Sequence, residues 1–375
     1  MVGAACAYYA VRAGLDVVLV DRGPVAGGTT GAGEGNILVS DKAPGPELDL
    51  ALLSSRLWRQ FAAEPFASRI ELEFKGGLVV AADSGDLDAL HALASRQRGS
   101  GVEAPVVAAD DLSDLEPNLA RGLAGGVLYP QDAQVQPALA AAHLIKAARL
   151  SGARLRTDET VTGLLRSADG AVRAVVTSRG EISAGAVVNA AGTWGGEVAA
   201  FAGAALPVLP RRGFILVTEP LPRLVRHKVC AADYVADVAS DSAELRTSPV
   251  VEGTAAGPVL IGASRERIGF DRSVSLPVLR RLAAQAIALF PVLRSVRAMR
   301  AYVGFRPYLP DHLPAIGPDP RVPRLFHACG HEGAGIGLAP ATGHLVAQAL
   351  LGRATDLDLA PFRPDRFEER AGQPC

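Results

Sequence analysis

The chain has 375 residues, 49% of them hydrophobic and 21% charged, which is enough for two domains or one large α/β unit with a sizeable core. The net charge is −1 and basic residues form no tract, which argues against a nucleic-acid partner. No apolar run reaches the ~18 residues that span a membrane, and four cysteines without a CxxC pair favour a reducing compartment. We therefore expect a cytoplasmic protein.

The first predicted elements are a helix over 3–13 and a strand over 16–20. Small residues fill the first segment, and the apolar run after it is typical of a parallel strand buried on both faces. Asp21 ends this strand, 18 residues after Gly3. That spacing fits a βαβ dinucleotide fold, in which the acid accepts hydrogen bonds from the adenosine ribose. An ordinary helix–strand pair is the alternative.

In the dinucleotide fingerprint, Gly3 takes the place of the third glycine, which lets the helix pack closely on the sheet. The first two glycines and the first strand of the fingerprint do not occur in this sequence. We expect the genomic sequence upstream of Met1 to encode them in frame, which would make Met1 a misplaced start.

A loop rich in glycine and threonine, at 27–36, directly follows the strand that ends in Asp21. Glycines let the backbone approach a ligand closely, and threonine hydroxyls and bare amides can hold phosphate oxygens. The alternative interpretation is a flexible surface loop. The position of the loop next to Asp21 favours a ligand-binding loop.

Further elements are predicted along the rest of the chain. Strand-like runs occur at 77–82, 153–156, 160–164, 186–190, 214–218 and 259–262, and a helical pattern at 278–290. The run at 186–190 continues into small residues, which is typical of a tight turn from a strand to a helix.

Arg306 is a candidate for binding a carboxylate, because the planar guanidinium matches a carboxylate with two parallel hydrogen bonds. The alternative is a surface salt bridge. The neighbouring Gly304, Pro307 and Asp311 favour a fixed turn around this arginine.

Glycines at 330–337 run into a predicted helix at 338–351. A glycine loop that opens a helix places unpaired N–H groups beside the positive end of the helix dipole, which favours an anion. His331 in this loop is a further candidate for the site, although a lone histidine is more often structural.

Together, five stretches resemble the D-amino-acid-oxidase superfamily of FAD-dependent oxidoreductases. They are GAACAYYAVRAGLDVVLVDRG at 3–23, GGTTGAGEGN at 27–36, VVNAAGTWGGEVA at 187–199, GFRPYLPDHLPAIGP at 304–318 and HACGHEGAGIGLAPATG at 327–343. Their order and spacing fit the family over nearly the whole chain. The segment GHEGAGIGLAP most resembles sarcosine-oxidase-β-like and proline- or hydroxyproline-dehydrogenase-like flavin subunits.

The resemblance implies FAD as the cofactor and no metal. It implies that FAD is contacted by Gly3, Asp21, Arg22, Thr29, Thr30, Gly33, Glu34, Gly35, Asn36, Val161, Ala191, Gly192, Trp194, Gly333, Ala334, Gly335, Ile336 and Gly337. In the resembled family the arginine at the place of Arg306 binds the substrate carboxylate, and His331 and Tyr234 are further catalytic candidates. Covalent attachment of the flavin is not expected, because Gly304 stands where monomeric sarcosine oxidases have a cysteine.

The predicted fold is therefore α/β, with a Rossmann-type FAD-binding domain interleaved with a substrate domain that has a mixed or antiparallel sheet. We predict that residues 1–45, 138–210 and 300–375 form the first domain, and residues 46–137 and 211–299 the second.

The predicted reaction is oxidation of the C–N bond of a small amino or imino acid by hydride transfer to flavin N5. The substrate would be a D-amino acid, sarcosine, glycine, proline or hydroxyproline. The chain could also work with partner subunits in a hetero-oligomeric dehydrogenase. Two alternatives stay open: an FAD-dependent dehydrogenase of a hydroxy acid, and a catalytically impaired, N-terminally truncated flavin-fold subunit. The electron acceptor is also open.

Overall fold

The computed structural model describes residues 1–234 and 242–367, so that Cys375 lies outside the described residues. The chain divides into two compact units that are interleaved along the sequence. Unit 1 comprises Met1–Gly31, Pro137–Pro210 and Phe305–Cys375, and unit 2 comprises Ala32–Gln136 and Arg211–Gly304. None of the helices in the described ranges is long and apolar enough to cross a membrane.

The described residues of unit 1 form four helices and three small sheets. The helices are α1 (Val2–Arg12), α5 (Pro137–Leu150), α6 (Gly195–Ala200) and α8 (Gly335–Leu350). The strands are β1 (Val18–Val20), β7 (Arg154–Arg156), β8 (Val161–Arg166), β9 (Val172–Thr177), β10 (Gly180–Ser183), β11 (Val187–Asn189), β17 (Ala315–Pro318) and β18 (Leu325–Cys329). β1 pairs with β7 and β11 with β18, both in parallel, while β8–β9–β10 and β17–β18 are antiparallel.

Unit 2 carries helices α2 (Pro46–Phe61), α3 (Ser84–Arg98), α4 (Leu112–Leu115) and α7 (Leu276–Leu289). Its strands are β2 (Asn36–Ile37), β3 (Gly77–Ala81), β4 (Val106–Ala108), β5 (Gly125–Tyr129), β6 (Ala133–Gln134), β12 (Leu209–Thr218), β13 (Lys228–Ala231), β14 (Arg246–Gly253), β15 (Val259–Arg265) and β16 (Ala298–Tyr308). The last strand continues into unit 1. Eight strands form one mixed sheet in the order β16–β12–β15–β14–β13–β3–β5–β4.

The predicted fold class is confirmed: parallel strand pairs and helices in unit 1 accompany a mixed sheet in unit 2. The assignment of the units as FAD-binding and substrate domains stays a prediction. Unit 2 begins at Ala32, so part of the 27–36 loop falls in unit 2 and part in unit 1.

The prediction of a turn around Arg306 is wrong, because this residue lies inside strand β16. Pro307 misled the prediction, since proline cannot donate to a central ladder. β16 is the edge strand of its sheet. An edge strand tolerates a missing N–H on its outer side, and the strand therefore continues through the proline.

Close contact between α1 and α8 organises unit 1. A Cβ atom on Gly343 of α8 would lie 2.6 Å from the backbone carbon of Ala5 and 2.9 Å from the nitrogen of Cys6. Real Cβ atoms do not approach backbone so closely, so only glycine permits this helix crossing. The crossing brings the glycine-rich motifs from the two ends of the chain together.

The core of unit 2 forms where α7 packs against the large sheet. Leu282 and Ala286 of the helix are fully buried in one cluster with Phe214, Val251 and Ile261 of the strands. Apolar residues four positions apart lie on the same face of the helix. This face packs on the apolar side chains of the strands.

Glu252 in strand β14 is a fully buried carboxyl group near Lys75, whose Nζ lies 3.9 Å from Glu252 Oε1. Burial raises the pKa of Glu252 from 4.5 to about 8; Lys75 counteracts this and Glu34 adds to it. The unfolded chain releases this proton near pH 4.5, whereas the folded chain retains it until about pH 8. The contribution of Glu252 to folding is therefore lost as the pH rises through this window.

We expect Glu252→Gln to stabilise the protein more at about pH 8 than at about pH 5, by on the order of a few kcal/mol. Glutamine keeps the shape and does not ionise. The measurement is urea unfolding at both pH values, with the exposed Glu181→Gln as the control. Equal effects of Glu252→Gln at the two pH values would contradict the raised pKa.

Candidate active site

The N-termini of α1 and α8 are neighbours. A Cβ atom on Gly335, the first residue of α8, would lie 3.9 Å from Val2 Cγ2, at the start of α1. Neither helix has a side-chain cap or an acidic residue in its first turn. Two positive dipole ends with uncapped N–H groups repel each other unless an anion lies between them. This arrangement fits an anionic ligand.

The backbone carbonyl of Phe305 connects two of the predicted motifs. Thr29 Oγ1 donates a hydrogen bond to this oxygen at 2.6 Å, and Thr193 Oγ1 donates one at 2.9 Å. The Met1 nitrogen donates to Thr30 Oγ1 at 2.7 Å. The threonines of the loop, the start of α1 and the turn after β11 are thus brought together at one strand.

Arg306 is half-buried and lies against the glycine loop that precedes α8. A Cβ atom on Gly333 would be 3.6 Å from both Cδ and Nε of Arg306. The guanidinium stem therefore packs on the backbone next to the start of α8. Ala334 follows, with its nitrogen donating to the carbonyl of His331 at 2.9 Å, and Ile336 and Gly337 form the first turn of the helix.

The residues predicted to bind the adenosine part of FAD also lie in unit 1. A Cβ atom on Gly3 would contact Ala190 Cβ at 3.4 Å, and the guanidinium carbon of Arg22 lies 3.7 Å from the centre of the Trp194 ring. The Asp21 side chain is exposed, and its Oδ1 accepts a hydrogen bond from the nitrogen of Gly23 at 2.9 Å. An exposed and oriented carboxylate is what recognition of ribose hydroxyls requires.

The turn after β11 is held by Asn189. Its Nδ2 donates to the carbonyl of Gly195 at 2.8 Å, and its Oδ1 accepts from the nitrogen of Ala191 at 3.3 Å. Between them, Gly192 has φ +57°, a left-handed conformation that favours glycine. Asn189 therefore fixes the path of the turn for which the family resemblance implies contact with FAD.

A buried network orients Asn189 in turn. Nδ1 of His327 lies 3.2 Å from Asn189 Nδ2, and Nε2 of His327 lies 3.0 Å from Asp319 Oδ2. Asn189 Nδ2 is a donor, so His327 Nδ1 must accept and the imidazole proton sits on Nε2, where it is donated to Asp319. Asp319 also binds Arg321, and hydrogen bonds from Arg321 and His327 hold the pKa of Asp319 well below its usual range despite burial.

We expect His327→Leu to destabilise the protein by about 1–3 kcal/mol, because leucine leaves buried polar groups of Asn189 and Asp319 unsatisfied. The flavin content should fall as well. The matched control is His344→Leu, which removes an exposed His–Asp pair, His344–Asp356, and should cost under about 1 kcal/mol. Urea unfolding of both variants is the measurement, and equal losses would contradict the role of the network.

His331 is buried, and its Nε2 lies 2.9 Å from Thr342 Oγ1, which itself donates to the carbonyl of Leu338 at 3.0 Å. The imidazole is therefore the donor to Thr342. Burial lowers the pKa of His331 to about 3, with a contribution from the nearby N-terminal ammonium. His331 is thus neutral at physiological pH and holds the first turns of α8; its catalytic role stays a prediction.

A family model described as FAD dependent oxidoreductase (DAO) matches residues 1–349. The chain belongs to this family. The match spans nearly the whole chain, both units included, so the chain is an FAD-dependent oxidoreductase and FAD is its cofactor.

Two relatives and one solved structure show where this oxidoreductase stands in the family. It is 30% identical to glycine oxidase of Geobacillus kaustophilus over 380 residues, which cover 99% of this chain and 96% of that protein. The crystal structure of glycine oxidase from Geobacillus kaustophilus has a TM-score of 0.88 at 29% identity, covering 97% of this chain and 96% of that one. Hydrogen cyanide synthase subunit HcnC of Pseudomonas aeruginosa is 32% identical over 261 residues, which are 69% of this chain and 59% of that protein.

Four predicted FAD contacts of this oxidoreductase lie in unit 2. The carbonyl of Gly33 accepts a hydrogen bond from the Tyr302 hydroxyl at 3.4 Å, and Asn36 Nδ2 donates to Glu34 Oε2 at 3.1 Å. Gly35 between them has φ +101°. The carboxylate of Glu34 fills the space where a Cβ atom of Gly262 would stand. These residues form a group of their own within unit 2, next to strand β15.

Two further predicted residues of the oxidoreductase lie elsewhere. Val161 is half-buried at the start of β8, where it pairs with Thr177 of β9. Tyr234 is buried in unit 2 between the cations of Lys228 and Arg265.

Sequence reasoning missed Thr193, the carbonyl of Phe305 and the Asn189–His327–Asp319 network. The threonine directly after the small-residue turn was a signal for the first. Nothing in the sequence marks the other two.

Proposed function

We propose that this oxidoreductase oxidises the C–N bond of a small amino or imino acid. The position of Arg306 supports the proposal most directly: it is a half-buried guanidinium against the glycine loop that opens α8. Its planar fork suits the carboxylate that all amino acids share. The relatives named glycine oxidase act on an amino acid, which agrees with this chemistry.

FAD would be held by the residues that unit 1 brings together. We propose that the uncapped N-terminus of α1 binds the diphosphate and that Asp21 accepts hydrogen bonds from the ribose hydroxyls. The first turn of α8 would face the flavin. Thr29 and Thr30 would line the same ligand. Each position offers N–H groups, a carboxylate or hydroxyls where an elongated dinucleotide needs them.

Bound FAD supplies the acceptor for the hydride, at flavin N5, that leaves the carbon next to the amine nitrogen. Arg306 would hold the carboxylate and so aim this C–H bond. No acid–base residue is needed, because an uncharged amine can be oxidised by direct hydride transfer. His331, neutral and bonded to Thr342, keeps the start of α8 in place. The imine product would hydrolyse in water.

The test is anaerobic mixing of the FAD-loaded protein with glycine, sarcosine, D-alanine, proline and hydroxyproline, in parallel with the hydroxy acids glycolate and D-lactate. We expect at least one amino or imino acid to bleach the visible flavin band, and the hydroxy acids to leave it unchanged. Bleaching by a hydroxy acid alone would make the protein a hydroxy-acid dehydrogenase and contradict the proposal.

We also propose that the protein works in a reducing compartment such as the cytoplasm and with a partner subunit. Cys6, Cys230 and Cys329 are free and buried. One relative is named as a subunit, of hydrogen cyanide synthase. Native mass spectrometry of the protein isolated from its source would show a second polypeptide if this is right, and a single type of chain if it is wrong.

A further inference from the structure

Two buried cations of unit 2 meet at one tyrosine ring. Lys228 is 1% exposed, Arg265 4% and Tyr234 7%. The Nζ atom of Lys228 lies 4.8 Å from the centre of the Tyr234 ring, and the guanidinium carbon of Arg265 lies 5.0 Å from it. The three side chains come from the start of β13, the end of β15 and the segment that follows β13.

Neither cation forms an ion pair within the described residues. The hydrogen bond of Lys228 Nζ goes to Cys230 Sγ at 3.4 Å, and Nη1 of Arg265 is buried with no hydrogen-bond partner in the described part of the chain. Arginine does not escape burial by losing its proton, because its pKa is too high. A buried charge without an ion-pair partner is costly, so this arrangement favours the binding of an anion.

The nearby carboxyl groups form no ion pair with Lys228 or Arg265 in the described part of the chain. Asp41 pairs with Lys42 at 2.6 Å. Asp132 accepts hydrogen bonds from the nitrogens of Val39 and Ser40 at 2.8 and 3.3 Å. Burial opposes the charge of Lys228, but Cys230, Tyr234, Asp132 and Asp41 together raise its pKa above the usual value, so Lys228 stays charged.

We propose that Arg265, Lys228 and Tyr234 form an anion-binding site of unit 2 that takes a small carboxylate. The acids Asp41, Asp132 and Glu34 lie near these side chains and offset part of their positive charge, which suits a monoanion better than a phosphate dianion. Burial raises the pKa of Tyr234, so its hydroxyl stays protonated and can donate to the ligand. The proposal goes beyond the assignment of Arg306 and does not depend on it.

The first measurement is calorimetric titration of the FAD-loaded protein with acetate and glutarate, and with acetamide as the neutral counterpart of acetate. We expect acetate or glutarate to bind at least about tenfold more tightly than acetamide, and Arg265→Met to weaken carboxylate binding at least about tenfold. The matched control is Arg246→Met. Arg246 is the cross-strand partner of Arg265 on β14 but is exposed, so its loss should leave binding within about twofold.

The second measurement separates a ligand site from a structural arginine. Methionine has a similar length and no charge, so replacing an unpaired buried cation should leave the unfolding temperature of the ligand-free protein unchanged or raise it. Carboxylate should raise the unfolding temperature of the wild type and of Arg246→Met more than that of Arg265→Met, which keeps only the carboxylate site proposed at Arg306.

Two results would overturn the site. If Arg265→Met lowers the unfolding temperature or prevents folding, Arg265 is a structural residue. If the wild type binds acetate and glutarate no more tightly than acetamide, the cations do not serve an anion. Neither measurement uses turnover, so a failure of the amine-oxidation screen and a failure of this site give different results.

Discussion

Arg306→Ala should lower kcat/KM for the amino-acid substrate at least tens-fold. Charge-assisted hydrogen bonds contribute about 1.5–3 kcal/mol each, and alanine removes the charge and the fork together. Arg306→Lys should retain part of the activity, because lysine keeps the charge and loses the bidentate geometry. The FAD content should hardly change in either variant. Steady-state kinetics and the visible absorbance of the purified proteins provide the two readouts.

The matched control for Arg306 is Arg300→Ala, six residues earlier on the same strand and exposed. Its kcat/KM should stay within about twofold of the wild type. Loss of flavin or poor folding in the Arg306 variants would make Arg306 structural. Normal turnover of amino acids by both variants would place the carboxylate site elsewhere.

Gly343→Ala should destabilise the protein by about 1–3 kcal/mol or more, because the new methyl group would collide with the backbone of Ala5 and Cys6. The helices α1 and α8 must then move apart, and their N-termini with them. We therefore expect the variant to lose FAD more readily than the wild type. Urea unfolding and flavin content after gel filtration measure the two effects.

Gly185→Ala is the control for the helix crossing, because no atom lies within 4 Å of the Cβ position at Gly185. It should change stability and flavin content little. If Gly343→Ala and Gly185→Ala have the same free energy of unfolding, the contact between α1 and α8 does not hold unit 1 together. If Gly343→Ala is destabilised but keeps its flavin, the helix N-termini do not form the cofactor site.

Elements with strong local signals could be predicted from the sequence. The apolar run that contains β1 predicts a parallel strand buried on both faces; β1 does pair in parallel with β7, but its residues are half-buried. The sequence predicts that α8 starts at 338, but the helix begins at Gly335. Glycines have low helix propensity, and the close packing of Gly335 against His331 overrides it.

The candidate site could be predicted only where motifs mark it. Asp21 and Arg306 carry chemistry that is visible in the sequence. The carbonyl of Phe305 carries none, because every residue has a carbonyl, and its two threonine partners are known only from the fold. Lys228 and Arg265 look like ordinary surface cations in the sequence, since burial depends on how the strands pack.

The most direct test of the cofactor site is a crystal structure of the protein with FAD. We predict the diphosphate at the N-terminus of α1, the ribose within hydrogen-bonding distance of Asp21, and the flavin against the first turn of α8 and Thr29. FAD bound away from both helix N-termini, or Asp21 pointing away from the ribose, would contradict the account.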